Sequence, residues 1–279
     1  MRDALIVSIL FIALSFLLAS CTIEVREDNF FLGHGRQRLL EQRLSDTVSI
    51  KNLTLKTADN TVLSGILAQN SKSRDYLIYF CGVGENISDD YKRITLIAEK
   101  YGINVVAFDY RGYGLSGGKA GFDTILSDAL VIYDYTETTY KPKRIFALGH
   151  SIGTTCAENI GLYRKPAGII LEAVFTNASD AVPGLPKGFV WPVNELLQFK
   201  ASEELAKRKP QPEDVIKQIT VPLLILHGAN DPTFPAAMAR KMFENAGSKD
   251  KKMVIVDGSN HFVDYESSEV SGALKSFLK

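Results

Sequence analysis

Cysteine is scarce in this 279-residue chain, which carries only Cys21, Cys81 and Cys156. So few exclude a disulfide framework and a cysteine-built zinc site, and Cys81 and Cys156 read as free core thiols. An excess of either charge is also missing: 32 Lys and Arg balance 32 Asp and Glu, and no basic cluster disturbs the net zero. Nucleic acid is therefore not an expected partner, and any membrane attachment must come from lipid rather than from a polybasic patch. Tryptophan occurs once, as Trp191. There is no internal repeat and no low-complexity tract, which excludes a repeat architecture.

The long apolar run stands at the N-terminus. Residues 4–19 are almost wholly apolar, interrupted by Ser8 and Ser15, behind a single basic Arg2 beside Asp3. The run is too short and too weakly flanked for a membrane span and fits a secretory leader. It ends in Leu18-Ala19-Ser20-Cys21, which resembles the lipobox of bacterial lipoproteins, where the cysteine becomes the lipidated first residue. That resemblance implies a signal peptide over 1–20, a lipid on Cys21, and an exported protein anchored to a membrane facing the periplasm or cell exterior. Thr22 stands where the inner-membrane retention signal has Asp, so in a Gram-negative cell the outer membrane is implied. What remains after such a leader suits one large α/β domain, and length alone would also permit two. Residues 21–46 are polar and irregular from Glu24 on, with Gly33 and Gly35, and read as a tether or arm in which His34 is a solvated loop residue.

Residues 48–55 and 62–68 alternate apolar and polar around Asp59-Asn60, a hairpin signal. Continuous apolar runs then recur at 76–80, 104–108, 144–148, 168–171, 223–226 and 252–256. Such runs mean strands covered on both faces, as a parallel sheet requires. Between most of them lie helical patterns at 89–101, 122–139, 152–163 and 235–246, and a helix is expected over 262–278. The alternation predicts a doubly wound α/β sheet behind an antiparallel hairpin. The interval 176–220 breaks the rhythm with Pro183, Pro186, Pro192, Pro210 and Pro212, and its length suggests a lid or cap insertion.

Gly149-His150-Ser151-Ile152-Gly153 matches G-x-S-x-G between an apolar run and a helical pattern. A strand turning that sharply into a helix strains the serine backbone, and glycines two before and two after remove clashing Cβ atoms. The serine hydroxyl rises above the carboxyl edge of the sheet beside a helix N-terminus, whose dipole favours a developing anion. Together with Tyr79-Phe80-Cys81-Gly82, Asp109-Tyr110-Arg111-Gly112-Tyr113-Gly114 and Leu226-His227-Gly228-Ala229-Asn230-Asp231, this elbow resembles the α/β-hydrolase superfamily. Within it the chain is most like the small-lid serine hydrolases of the Bem46 and ABHD13/ABHD17 kind. The resemblance covers residues 47–279 and implies a mostly parallel eight-stranded sheet with a small lid and no metal or organic cofactor. It also makes Asp109 and Arg111 residues that fix a loop rather than reacting groups.

In that fold the order is serine, acid, histidine. Asp231 follows the run 223–226 and His261 follows the run 252–256, so both stand in the turns where an acid and a base are expected. A serine hydroxyl needs a base to accept its proton, and the base needs an acid to orient it. Ser151, Asp231 and His261 are the expected triad, with His150, His227 and His34 as less suitable bases and Asp257 as the rival acid. The oxyanion donors are expected to be the backbone N–H groups of Ile152 and Val83. The family usually has His-Gly before the second donor, whereas this chain has Cys81-Gly82-Val83-Gly84-Glu85. The missing histidine leaves that turn without an evident anchor, and Glu85 adds a negative charge beside it. The expected reaction is ester or thioester hydrolysis on a small-molecule or lipid ester, through an acyl-serine. A lipid-anchored binding module of the same fold, and a peptidase, are the alternatives.

Overall fold

The computed structural model describes residues 21–31, 42–189, 191 and 193–279. The apolar run 4–19, Leu18-Ala19-Ser20 of the lipobox and His34 lie outside the described residues. The chain opens with β1 (Cys21–Val25), α1 (Glu27–Phe30), β2 (Gln42–Arg43), β3 (Val48–Lys56), β4 (Val62–Asn70) and β5 (Asp75–Phe80). It continues through α2 (Tyr91–Lys100), β6 (Asn104–Phe108), α3 (Phe122–Tyr140), β7 (Arg144–His150), α4 (Gly153–Tyr163) and β8 (Gly168–Glu172). The insertion holds α5 (Ala178–Ala181), a 3₁₀ turn (Val182–Gly188), α6 (Val193–Leu196), β9 (Leu197–Ala201), α7 (Glu203–Lys207) and α8 (Pro212–Val215). A further 3₁₀ turn (Ile216–Gln218) leads to β10 (Leu223–Gly228), α9 (Ala236–Asn245), β11 (Lys251–Val256) and α10 (Ser268–Phe277).

Apolar pattern decides which strands lie where. Every residue of β6, β8 and β10 is buried, whereas β3 alternates. The first three therefore sit in the middle of the sheet, and β3 near an edge. The order is β11-β10-β8-β7-β5-β6-β4-β3-β2. Strands β5 to β8, β10 and β11 run parallel, and β2, β3 and β4 are antiparallel. The eight expected strands are present, with the two-residue β2 as a ninth on the edge. Helices cover both faces. Ile125, Ile132 and Ile160 of α3 and α4, with Met242 of α9, pack in one apolar cluster. Ile94 and Ile97 of α2, with Val270 and Leu274 of α10, pack in the other. The chain leaves β5 toward β6 on one side and continues from β7 on the other, so β5 and β7 flank the switch point where such sheets bind ligands.

Two elements differ from the sequence pattern. The last helix begins at Ser268, not at residue 262. The N–H of Val263 donates to Glu172 Oε1 at 3.0 Å and the Tyr265 hydroxyl to Glu172 Oε2 at 2.6 Å, which ties that stretch down as a loop. Residues 21–31, expected to be irregular, form β1 and α1. β1 pairs in parallel with β9 of the insertion over five residues. The polar composition hid the few apolar anchors: Val25 is buried with Val182 and Leu205, and the Phe30 ring stacks on Phe122 at 5.5 Å.

Candidate active site

The turn from β7 into α4 carries Ser151 at φ +53°, the left-handed region that non-glycine residues rarely occupy. Holding it there costs about 1–3 kcal/mol, strain characteristic of reactive positions. A Cβ on Gly149 would stand 2.1 Å from the Gly153 carbonyl, and one on Gly153 would stand 2.4 Å from that of Phe80, so no other residue allows this packing. The N–H of Ser151 is spent on the Glu172 carbonyl at 2.9 Å. That of Ile152, next along, donates no hydrogen bond among the described residues, and neither does that of Val83.

His261 Nδ1 stands 2.8 Å from Asp231 Oδ2. The other carboxylate oxygen accepts the N–H groups of Thr233 at 2.8 Å and Phe234 at 3.0 Å, so the acid cannot rotate. Burial alone would raise the Asp231 pKa, but the His261 hydrogen bond and charge hold it below the ordinary carboxyl value. Asp257 is exposed and has no hydrogen bond to His261 among the described residues. His227 is fully buried, its Nε2 facing the Phe234 carbonyl at 2.8 Å, and burial lowers its pKa. Asp109 accepts the Ile87 N–H at 2.8 Å, and Arg111 forms a two-pronged pair with Asp128 at 2.8 Å, so both brace loops.

The turn after β5 does have an anchor. Glu85 folds back so that its Oε2 accepts the Gly82 N–H at 2.8 Å, and the Tyr110 hydroxyl donates to the Cys81 carbonyl at 2.8 Å. Glu85 Oε2 also lies 3.3 Å from Nδ1 of the buried His150, whose Nε2 faces the His261 carbonyl at 3.2 Å. Both ring nitrogens of His150 thus face acceptors, and only the imidazolium donates to both. Burial works against that charge, but the Glu85 hydrogen bond and the Glu172 and Glu85 charges outweigh it and raise the His150 pKa. The negative charge of Glu85 is therefore met in place by His150. Because its folded value is raised, His150 contributes stability that is lost as pH rises through that value, while Glu85, whose pKa the His150 hydrogen bond and charge lower against burial, loses its share as pH falls into the carboxyl range.

Sequence reading passed over Glu172. It is fully buried at the end of β8, and Arg93 NH1 lies 3.6 Å from its Oε2. Burial opposes its ionisation, but the Arg93 and His150 charges and the hydrogen bonds from Tyr265 and Val263 lower its pKa. Through Val263 and Tyr265 it holds the loop that follows His261. No local motif marks it, because its partners come from α2, β7 and the last loop.

Ser151 lies where two cavities meet under the insertion. One, of about 720 Å³, is lined by Ser151, His261, Val83, Phe189 and Phe262. The other, of about 210 Å³, lies behind the nucleophile and is lined by Ile152, Leu126, Phe175, Leu185 and other mostly apolar side chains. Cys81 and Cys156 are buried and unbridged. Among the described residues no group of three or more His, Cys, Asp or Glu side chains could hold a metal ion.

A doubly wound sheet with a strained serine elbow at its switch point defines an α/β-hydrolase. The chain belongs to the Serine aminopeptidase, S33 family, whose pattern matches residues 71–201 and 193–268. It is 29% identical over 233 residues to the lysophosphatidylserine lipase ABHD12 of Xenopus tropicalis, covering 75% of this chain and 58% of the relative. It is 28% identical over 217 residues to the human protein ABHD12B, covering 72% of this chain and 60% of the relative. The chain thus spans little more than half the length of these curated relatives. Among solved structures, the Pyrococcus furiosus esterase Pf2001 superposes with a TM-score of 0.70 at 20% identity, covering 88% of this chain and 98% of that one. Acetyl xylan esterase 1 from Thermoanaerobacterium superposes at 0.65 with 16% identity, covering 86% of each chain. At these identities the structural likeness speaks for the fold.

Proposed function

We propose that the protein hydrolyses carboxylic ester or thioester bonds of acyl lipids through an acyl-Ser151 intermediate. The observation that carries this is the strained Ser151 in a cavity it shares with His261, itself hydrogen-bonded to a locked Asp231. Ser151 Oγ attacks the acyl carbonyl carbon while its proton passes to His261 Nε2. The oxyanion that forms is met by the N–H groups of Ile152 and Val83. The C–O or C–S bond then breaks, and His261 returns the proton to the leaving alcohol or thiol. Water repeats the sequence against the acyl-enzyme, releasing the acid and restoring Ser151. The small apolar cavity suits the acyl chain and the larger, more open one the leaving group. The lysophosphatidylserine lipases among the relatives support a single acyl chain on a polar head. The test is turnover of p-nitrophenyl esters by the wild type beside Ser151→Ala, with turnover in the wild type alone expected.

Glu85 in this reading is a positioning residue for the Val83 donor. Glu85→Ala frees the Gly82 N–H and strips His150 of its partner. Loss of a properly held oxyanion donor lowers kcat by about 10²-fold. Glu85→Gln keeps an acceptor for Gly82 and should restore most of that rate. Equal kcat in wild type and Glu85→Ala would remove Glu85 from the mechanism.

We also propose that Cys21 carries a lipid and holds the enzyme on a membrane. Cys21 opens β1, which runs directly into pairing with β9 of the insertion. Phe189, Phe262 and Trp191 are exposed, the first two at the larger cavity. An anchor at β1 would set these apolar side chains against the bilayer. Expressed in a bacterium, the protein should incorporate labelled palmitate and sediment with membranes, and Cys21→Ala should lose the label. Persistent labelling in that variant would sink the anchor.

A further inference from the structure

The small cavity behind Ser151 is mostly apolar, with polar side chains from α4 and from the Arg208–Gln211 stretch of the insertion. Thr155, Glu158, Asn159 and Leu162 line it, and their spacing places them along a single helical stripe. Most polar side chains on the wall are already committed within the protein. The Thr155 hydroxyl donates to the Ile152 carbonyl at 2.7 Å, and the Asn159 amide to that of Leu126 at 2.9 Å. Gln211 Nε2 donates to the Arg208 carbonyl at 2.8 Å while its Oε1 accepts the Ala178 N–H at 3.1 Å. Arg208 itself pairs with Asp123 and Glu27.

Glu158 differs from all of these. It is 1% exposed, and its Oε1 is buried with no hydrogen-bond partner. A polar group buried without a partner costs about 1–3 kcal/mol, so a carboxyl oxygen left unpaired among side chains that are all committed calls for a reason. Burial pushes its pKa well above the ordinary carboxyl value, which favours the protonated acid, at once a donor and an acceptor. It sits about 8–10 Å along α4 from the nucleophile elbow, at 1.5 Å per residue.

We propose that Glu158 is a recognition residue for a hydroxyl group on the acyl chain, so that the preferred substrates are hydroxylated acyl esters. The proposal rests on ester hydrolysis at Ser151 and names the substrate class of that site. With the carbonyl carbon at Ser151, the chain runs down the apolar cavity along α4. A hydroxyl at the depth of Glu158 exchanges hydrogen bonds with the carboxyl, while a plain methylene leaves the carboxyl unmet. Sites built to bind a substrate hydroxyl discriminate against the analogue lacking it for this reason.

The test uses the full chain in detergent and a series of p-nitrophenyl alkanoates of increasing length, each beside its ω-hydroxy counterpart. In wild type the ω-hydroxy ester should win by about tenfold in kcat/KM at one chain length, and lose at much shorter and longer ones. Glu158→Leu should reverse the preference at that length, and Glu158→Gln, which keeps a donor and an acceptor, should retain it. A Glu158 with a purely structural or water-holding role would shift both members of each pair together. Affinities of the same esters for Ser151→Ala, measured by calorimetry, make the result independent of turnover. The hydroxy preference should appear there in Kd even if Ser151 proved not to be the nucleophile. No preference at any length in either measurement, or one that survives in Glu158→Leu, overturns the proposal.

Discussion

Replacing Ser151 with alanine is expected to lower kcat for p-nitrophenyl esters by about 10⁶-fold and to abolish labelling by a fluorophosphonate. The size follows from the step removed: without Oγ there is no covalent intermediate, and only the oxyanion donors and substrate binding remain. The fold should persist, since alanine keeps the Cβ and the N–H bond from residue 151 to the Glu172 carbonyl is backbone. Melting temperature and circular dichroism check this alongside the rates. The full chain is the right material, because Cys21 begins β1 and trimming past it would cut into the pairing with β9. Equal, near-background rates in wild type and variant would turn the cavity into a binding site and direct attention to the Cys81–Glu85 turn.

Asp231→Asn is expected to cost about 10⁴-fold in kcat with little change in KM. The asparagine oxygen can still accept the Thr233 and Phe234 N–H groups that hold the side chain in place. Its amide nitrogen then faces His261 Nδ1, where the carboxylate oxygen now stands at 2.8 Å. An amide N–H there asks Nδ1 to accept, which moves the ring proton to Nε2, the nitrogen that must receive the Ser151 proton. The rate falls through the wrong tautomer rather than through misplacement. Asp257→Asn serves as the comparison: its carboxylate is exposed, and the rate should stay within twofold of wild type. A large loss there, with Asp231→Asn active, would exchange the two acids.

Much of this protein was legible along the chain because its signals are local. Continuous apolar runs marked β5 to β8, β10 and β11 to within two residues, since strands covered on both faces admit little else. The elbow is equally local: Gly149 and Gly153 are demanded by atoms within the turn and the strand beside it. The order of Ser151, Asp231 and His261 along the chain follows from the order of strands whose ends carry them. The two misread segments depend on distant partners. Residues 262–267 have a helical pattern but surrender it to Glu172, ninety residues earlier in the chain. β1 carries too few apolar side chains to announce itself and exists only because β9 offers an edge.

The sequence by itself determined the α/β architecture, the strained serine turn and the residue types at the sheet's carboxyl edge, because short-range sterics and hydrophobic periodicity set all three. Only the tertiary structure decided what surrounds them. Glu85 looked like a charge hostile to an oxyanion until folding placed His150 against it, and Glu158, which no motif marks, comes to line a mostly apolar cavity only because α4 packs there. The free energy of a charge or a buried carboxyl depends on which groups face it and how much water is left. Those neighbours come from elements far apart in the chain, so no window of sequence contains them.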